Sequence, residues 1–120
     1  MKDIAVHTLQ TQRFTIKNKS ILPVVQGGMG VGISAHRLAG SVAKLGGMGT
    51  ISSVDLRRHH PDLMLRSSED PSKANINACN LEALDREIND AKALAAGQGA
   101  IAVNIMKAVE AYPEYVRQAC

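Results

Sequence analysis

The apolar run Ile21-Leu22-Pro23-Val24-Val25-Gln26 stops abruptly at Gly27-Gly28-Met29-Gly30-Val31-Gly32, and this junction constrains the chain more than any other feature. A run this short, rich in β-branched residues and carrying its proline near the start, reads as a buried strand. Ser34 stands where it can cap the helix that follows. Leu38, Ala39, Val42 and Leu45 recur in that helix at helical spacing, and Gly46-Gly47 supplies a left-handed stop. Met48-Gly49-Thr50-Ile51-Ser52-Ser53-Val54 then reads as a second strand. A strand, loop, helix and strand in such close succession favour parallel pairing with the helix as the crossover.

The pattern repeats downstream. Residues 55–78 form a long polar connection rich in Arg, His, Ser, Asp and Pro, of a length at which loops become functional or disordered. Asn80 caps a helix that carries Leu81, Leu84, Ile88, Ala91 and Leu94 on one face and ends at Gly97. Residues 100–106 are a third apolar strand with Asn104 near its C-terminal end, and Tyr112 to Cys120 begins another helix. Upstream, residues 1–20 are a polar lead-in in which Arg13 to Lys17 alternates as a short edge strand before an Asn18-Lys19-Ser20 turn. The fold class expected is α/β. About three β/α units are present, whereas a (β/α)8 barrel takes about 250 residues. A doubly wound sheet commonly has about five or six strands, so for either architecture residues 21–120 read as an incomplete first portion, part of a longer protein or of a truncated product.

With 120 residues, 45% of them hydrophobic, the chain can build one modest core. The excess of 14 basic over 11 acidic residues is mild, short of a nucleic-acid footprint. No apolar stretch reaches the roughly 18 residues of a membrane span, and polar residues break up the N-terminus before a signal-type region forms. Cys79 and Cys120 lie far apart without metal-ligand spacing. A reducing cytoplasm is the default expectation.

Four glycines between Gly27 and Gly32 let the backbone approach a ligand and leave amides free for an anion. Gly28, Met29 and Gly30 sit nearest the strand end. The same segment is also readable as a tight turn. A third reading takes Gly30-Val31-Gly32-Ile33-Ser34-Ala35 as the GxGxxA dinucleotide fingerprint, with Asp55 about 20 residues on as its ribose-binding acid. Asn104 is the second candidate, because a carboxamide at the C-terminal end of an apolar parallel strand lies where ligands collect. Arg57-Arg58-His59-His60-Pro61-Asp62 falls on the same face but reads first as a solvated loop. Its histidines lack a third ligand at a suitable interval for a metal. His36, in a first helical turn, reads as a surface residue, and no hydrolase motif is present.

Pro23-Val24-Val25-Gln26-Gly27-Gly28-Met29-Gly30, the Leu38-Ala39-Gly40-Ser41-Val42-Ala43 helix, Gly47-Met48-Gly49-Thr50-Ile51 and Val103-Asn104-Ile105-Met106 together resemble the nitronate monooxygenase (2-nitropropane dioxygenase) family. The resemblance runs from about Pro23 to Cys120. It implies a TIM barrel around FMN, residues 21–120 being an incomplete FMN-binding (β/α)8 barrel domain, with the backbone of Gly28, Met29 and Gly30 lining the flavin and the Asn104 side chain hydrogen-bonding it. The intact family oxidises nitronates with dioxygen, or reduces enoyl thioesters of fatty acid synthesis with NAD(P)H. The family's catalytic histidine lies on a later strand, so the resemblance assigns no catalytic residue here, and no metal. The readings that compete with a nitronate monooxygenase-like flavoenzyme are an FMN-dependent enoyl reductase, a NAD-binding Rossmann portion, and a non-catalytic, partner-dependent module that self-associates through unpaired sheet edges.

Overall fold

The computed structural model describes residues 12–120; the expectations for residues 1–11 lie outside the described residues. The chain enters through an antiparallel hairpin of β1 (Phe14–Ile16) and β2 (Lys19–Ile21). Lys17 and Asn18 turn it with φ of 46° and 64°, the left-handed pair that a two-residue hairpin turn demands. The expected edge strand is present, and its turn falls one residue earlier than the sequence pattern indicates.

The strand expected over residues 21–26 is divided. Ile21 closes the hairpin, and Val24 to Gln26 run parallel to β3 (Met48–Ser52), with a single bridge between Val25 and Met48. Met48 N–H donates to the Val24 carbonyl at 2.8 Å, and Gln26 N–H donates to the Met48 carbonyl at 2.9 Å. Pro23 has no N–H to extend this ladder backwards, and the chain turns off at Gly27. Beyond that point a side chain takes over. Thr50 N–H donates to Gln26 Oε1 at 3.0 Å, and Gln26 Nε2 donates to the Thr50 carbonyl at 3.1 Å. On its other side β3 pairs in parallel with β4 (Ala100–Asn104), in a register running from Met48↔Ala100 to Ser52↔Asn104. The described residues thus form a mixed α/β domain with two small sheets, one of them parallel, and four helices.

The helices are α1 (His36–Lys44), α2 (Pro61–Glu69), α3 (Lys73–Ala95) and α4 (Tyr112–Ala119), with a 3-10 turn over Leu56–His59. Several expectations are corrected. Ser34 does not cap α1; Ala35 holds the cap position without a side-chain bond, and Ser34 is fully buried under the glycine loop. The buried face of α1 is Ala39, Gly40 and Ala43, while Leu45 is exposed. Small residues face inward because the helix backbone lies directly on the sheet. A Cβ on Gly49 of β3 falls 1.8 Å from the Ala39 carbonyl oxygen.

The long polar connection is mostly helical. Pro61 opens α2, where its missing N–H costs nothing. Ser72 caps α3 by accepting from Asn75 N–H at 3.3 Å. Asn80 is therefore an interior, buried residue of α3, and its Oδ1 accepts the Arg57 N–H at 3.1 Å. Polar residues cover the outer faces of these helices and obscured the few inward groups, Leu56, Leu63 and Cys79, all fully buried. These pack with Ile51, Ala83, Leu84 and Tyr115 into one core. Among the described residues no helix is long and apolar enough to cross a membrane.

Gly49→Ala forces a methyl group into the α1 backbone and is expected to destabilise the fold by about 3 kcal/mol. Urea denaturation measures it, and a loss below about 1 kcal/mol contradicts this α1–β3 packing.

Candidate functional site

The parallel register brings the C-terminal ends of the first segment, β3 and β4 to one edge, and the glycine loop folds across that edge. A Cβ on Gly28 falls 2.8 Å from Asn104 Cβ and 3.5 Å from Thr50 Cγ2; one on Gly30 falls 3.2 Å from Ser52 Oγ. Gly28 and Asn104, far apart in sequence, are therefore in contact. The Asn104 main chain is occupied, its carbonyl accepting from Ser53 N–H at 3.2 Å and Ser53 Oγ at 2.9 Å. Its side chain is exposed and, among the described residues, makes no hydrogen bond. The Gly28 and Gly30 amides likewise donate to no group among the described residues.

Met29 differs. Its N–H donates to Ser34 Oγ at 2.8 Å, so it is committed to the loop rather than offered to a ligand, and its side chain stands half exposed. Ser34 Oγ also accepts from Gln26 Nε2 at 2.9 Å and donates to the Gly27 carbonyl at 3.2 Å. A buried hydroxyl and a carboxamide thus set the path of the loop. The residues were legible as polar groups bordering an apolar strand, which must find partners once buried, but their partners are non-local.

A second cluster stands behind the loop. Glu87 lies on the inward face of α3 beside Leu84 and Ile88, and its side chain is 3% exposed. Its Oε2 accepts from His36 N–H and faces His36 Nδ1, both at 2.7 Å; Oε1 faces His60 Nε2 at 3.0 Å. Burial works to raise the Glu87 pKa. The His36 amide and the two imidazoles outweigh it and hold the carboxyl below its ordinary value of 4.5. One carboxylate therefore joins the N-termini of α1 and α2 to the middle of α3. A glutamate in helical phase with the core positions was the available signal.

His60 and His36 are thus structural partners of Glu87 rather than loop and surface groups. His59 packs against Gly32, where any Cβ would fall inside its ring, 1.5 Å from Nε2. Asp55, the ribose-binding acid of the fingerprint reading, is turned onto Arg57, Arg58 and Asn80. The α1 amide that would face a pyrophosphate is given to Glu87. The fingerprint's two key groups are both engaged within the protein.

Comparison with protein-family models, with curated proteins and with solved structures finds no match to the chain.

Because Glu87 has a lowered carboxyl pKa when folded, its stabilisation is complete above 4.5 and lost as pH falls through the folded value. Glu87→Gln is expected to cost about 2 kcal/mol at neutral pH and to flatten the fall in stability below pH 4.5. Denaturation midpoints across that range check both; an unchanged acid slope contradicts the assignment.

Proposed function

We propose that the chain forms the opening β/α units of an FMN-binding (β/α)8 oxidoreductase of nitronate monooxygenase type. The contact between Gly28, in the loop after the first segment, and Asn104 at the end of β4 carries this reading. The resemblance supplies the cofactor and the reaction class, and the geometry fits a planar, hydrogen-bonding ligand. Gly28 and Gly30 lie close over the strand ends because they lack side chains, their amides, unpaired among the described residues, offer donors, and the Asn104 carboxamide can donate and accept at once. Bound FMN would supply the redox chemistry, electron transfer between a nitronate and dioxygen. The chain's own share is to bind and orient. Gly28 and Gly30 would lie against the ring system through their backbone, and Asn104 would fix its polar edge. Met29, its amide engaged by Ser34, would contribute its thioether side chain alone. The occupied α1 N-terminus and the ion-paired Asp55 weigh against NAD in the same place.

Titration of the purified chain with FMN, read by quenching of flavin fluorescence and by visible circular dichroism, tests the proposal. Saturable binding is expected. Asn104→Ala and Gly28→Ala should each weaken it about tenfold, equivalent to about 1.4 kcal/mol, with far-ultraviolet dichroism unchanged. Absence of saturable binding, or binding of NAD lost in Asp55→Ala, overturns it.

A further inference from the structure

At the opposite, N-terminal end of the parallel sheet lies a cavity of about 570 Å³ that the flavin reading does not use. The volume is within the range of small-molecule sites, about 300–1,000 Å³. Its floor is apolar, formed by Ile16 of the hairpin, Met48 of β3, and Ala100 and Ile101 of β4. Its rim is cationic. Lys17 at the hairpin turn, Lys19 on β2 and Lys92 in the last turn of α3 all line it, and no aspartate or glutamate side chain does.

The fold places these lysines around the cavity and holds one of them by its side chain. Lys17 occupies a left-handed turn position, and Lys19 Nζ lies 3.4 Å from the Gly99 carbonyl and 3.5 Å from that of Gly97, which ties the hairpin over the turn between α3 and β4. That turn needs Gly99: its φ is 57°, and a Cβ there falls 2.3 Å from the Ala43 carbonyl oxygen. Among the described residues none of the three ammonium groups is within ion-pair distance of an acid; the ion pairs found all lie elsewhere. The mild charge of the whole chain thus conceals a local concentration of like charge beside apolar surface.

We propose that this cavity binds an amphiphilic carboxylate, its apolar body on the floor and its anionic head among Lys17, Lys19 and Lys92. Like charges gathered at a partly enclosed, low-dielectric wall favour a counter-anion, and the exposed floor gains from covering by methylenes. Each half of the ligand answers one half of the site.

Isothermal titration of the full chain with decanoate, below its micelle concentration, tests this. One saturable site is expected, weakened at least tenfold in the Lys17→Gln, Lys19→Gln, Lys92→Gln triple variant and severalfold in each single variant. Lys17 and Lys92 are exposed and make no side-chain hydrogen bond among the described residues, so their variants should keep the fold, and far-ultraviolet dichroism checks the Lys19→Gln and triple variants. Salt at about 0.5 M should also weaken binding, because exposed charges are then screened. Decanol, lacking the charge, and acetate, lacking the tail, should each bind at least tenfold more weakly. The proposal is overturned if decanoate shows no saturable binding, as when a second copy of the chain fills the cavity. Equal affinity of the triple variant, or equal binding of decanol or acetate, overturns it as well. FMN affinity is read separately, so failure here and failure of the flavin reading are distinguishable.

Discussion

The outer edge of β3 holds the parallel layer together, and three kinds of group complete it. Met48 is met by the backbone of Val24 and Gln26, Thr50 by the carboxamide of Gln26, and Ser52 N–H by the Ser34 carbonyl at 3.0 Å. A buried main-chain group left without a partner costs about 1–3 kcal/mol, so the first segment cannot simply end after one bridge. Gln26 lets the backbone leave the sheet while its side chain continues the pairing. The freed backbone becomes the glycine loop, which crosses the strand ends and brings Gly28 onto Asn104. Loop, sheet edge and candidate site are consequences of one substitution of side chain for main chain.

Glu87 performs the corresponding task on the helical side. The strand-to-helix connections after the first segment and after β3 end at His36 and near His60, and both meet the same buried carboxylate. A negative charge at helix N-termini is favourable in itself; here it also fixes how α1 and the 3-10 turn sit on α3. Of the two polar centres, Gln26 with Ser34 holds the glycine loop, and Glu87 with its histidines holds the helix starts that follow. The proposed anionic-ligand cavity at the other end of the sheet is independent of both.

Local rules made the alternating strands and helices legible. β3, β4 and α4 stand where apolar continuity and spacing place them, and Gly46 turns with φ of 98° after α1. The polar stretch after β3 reads as a loop from sequence because its helices bury only a few positions each, so their period is swamped by charge. Ser34 fits the pattern of a helix cap equally well from sequence, and only the return of the loop onto its hydroxyl distinguishes the two roles. Gly28 and Asn104 were each legible as candidates. Their contact was not, since it depends on a register set by residues elsewhere.

Amide hydrogen exchange at Thr50, followed by NMR in the wild-type chain and in Gln26→Ala, tests whether the Gln26 carboxamide completes the edge of β3. The Thr50 amide is expected to be protected in the wild type and to exchange about a hundredfold faster in the variant. The Ile51 amide, whose main chain faces β4 by the alternation of the ladder, should be little changed. Equal Thr50 protection in the two proteins would contradict that pairing of Gln26 with Thr50.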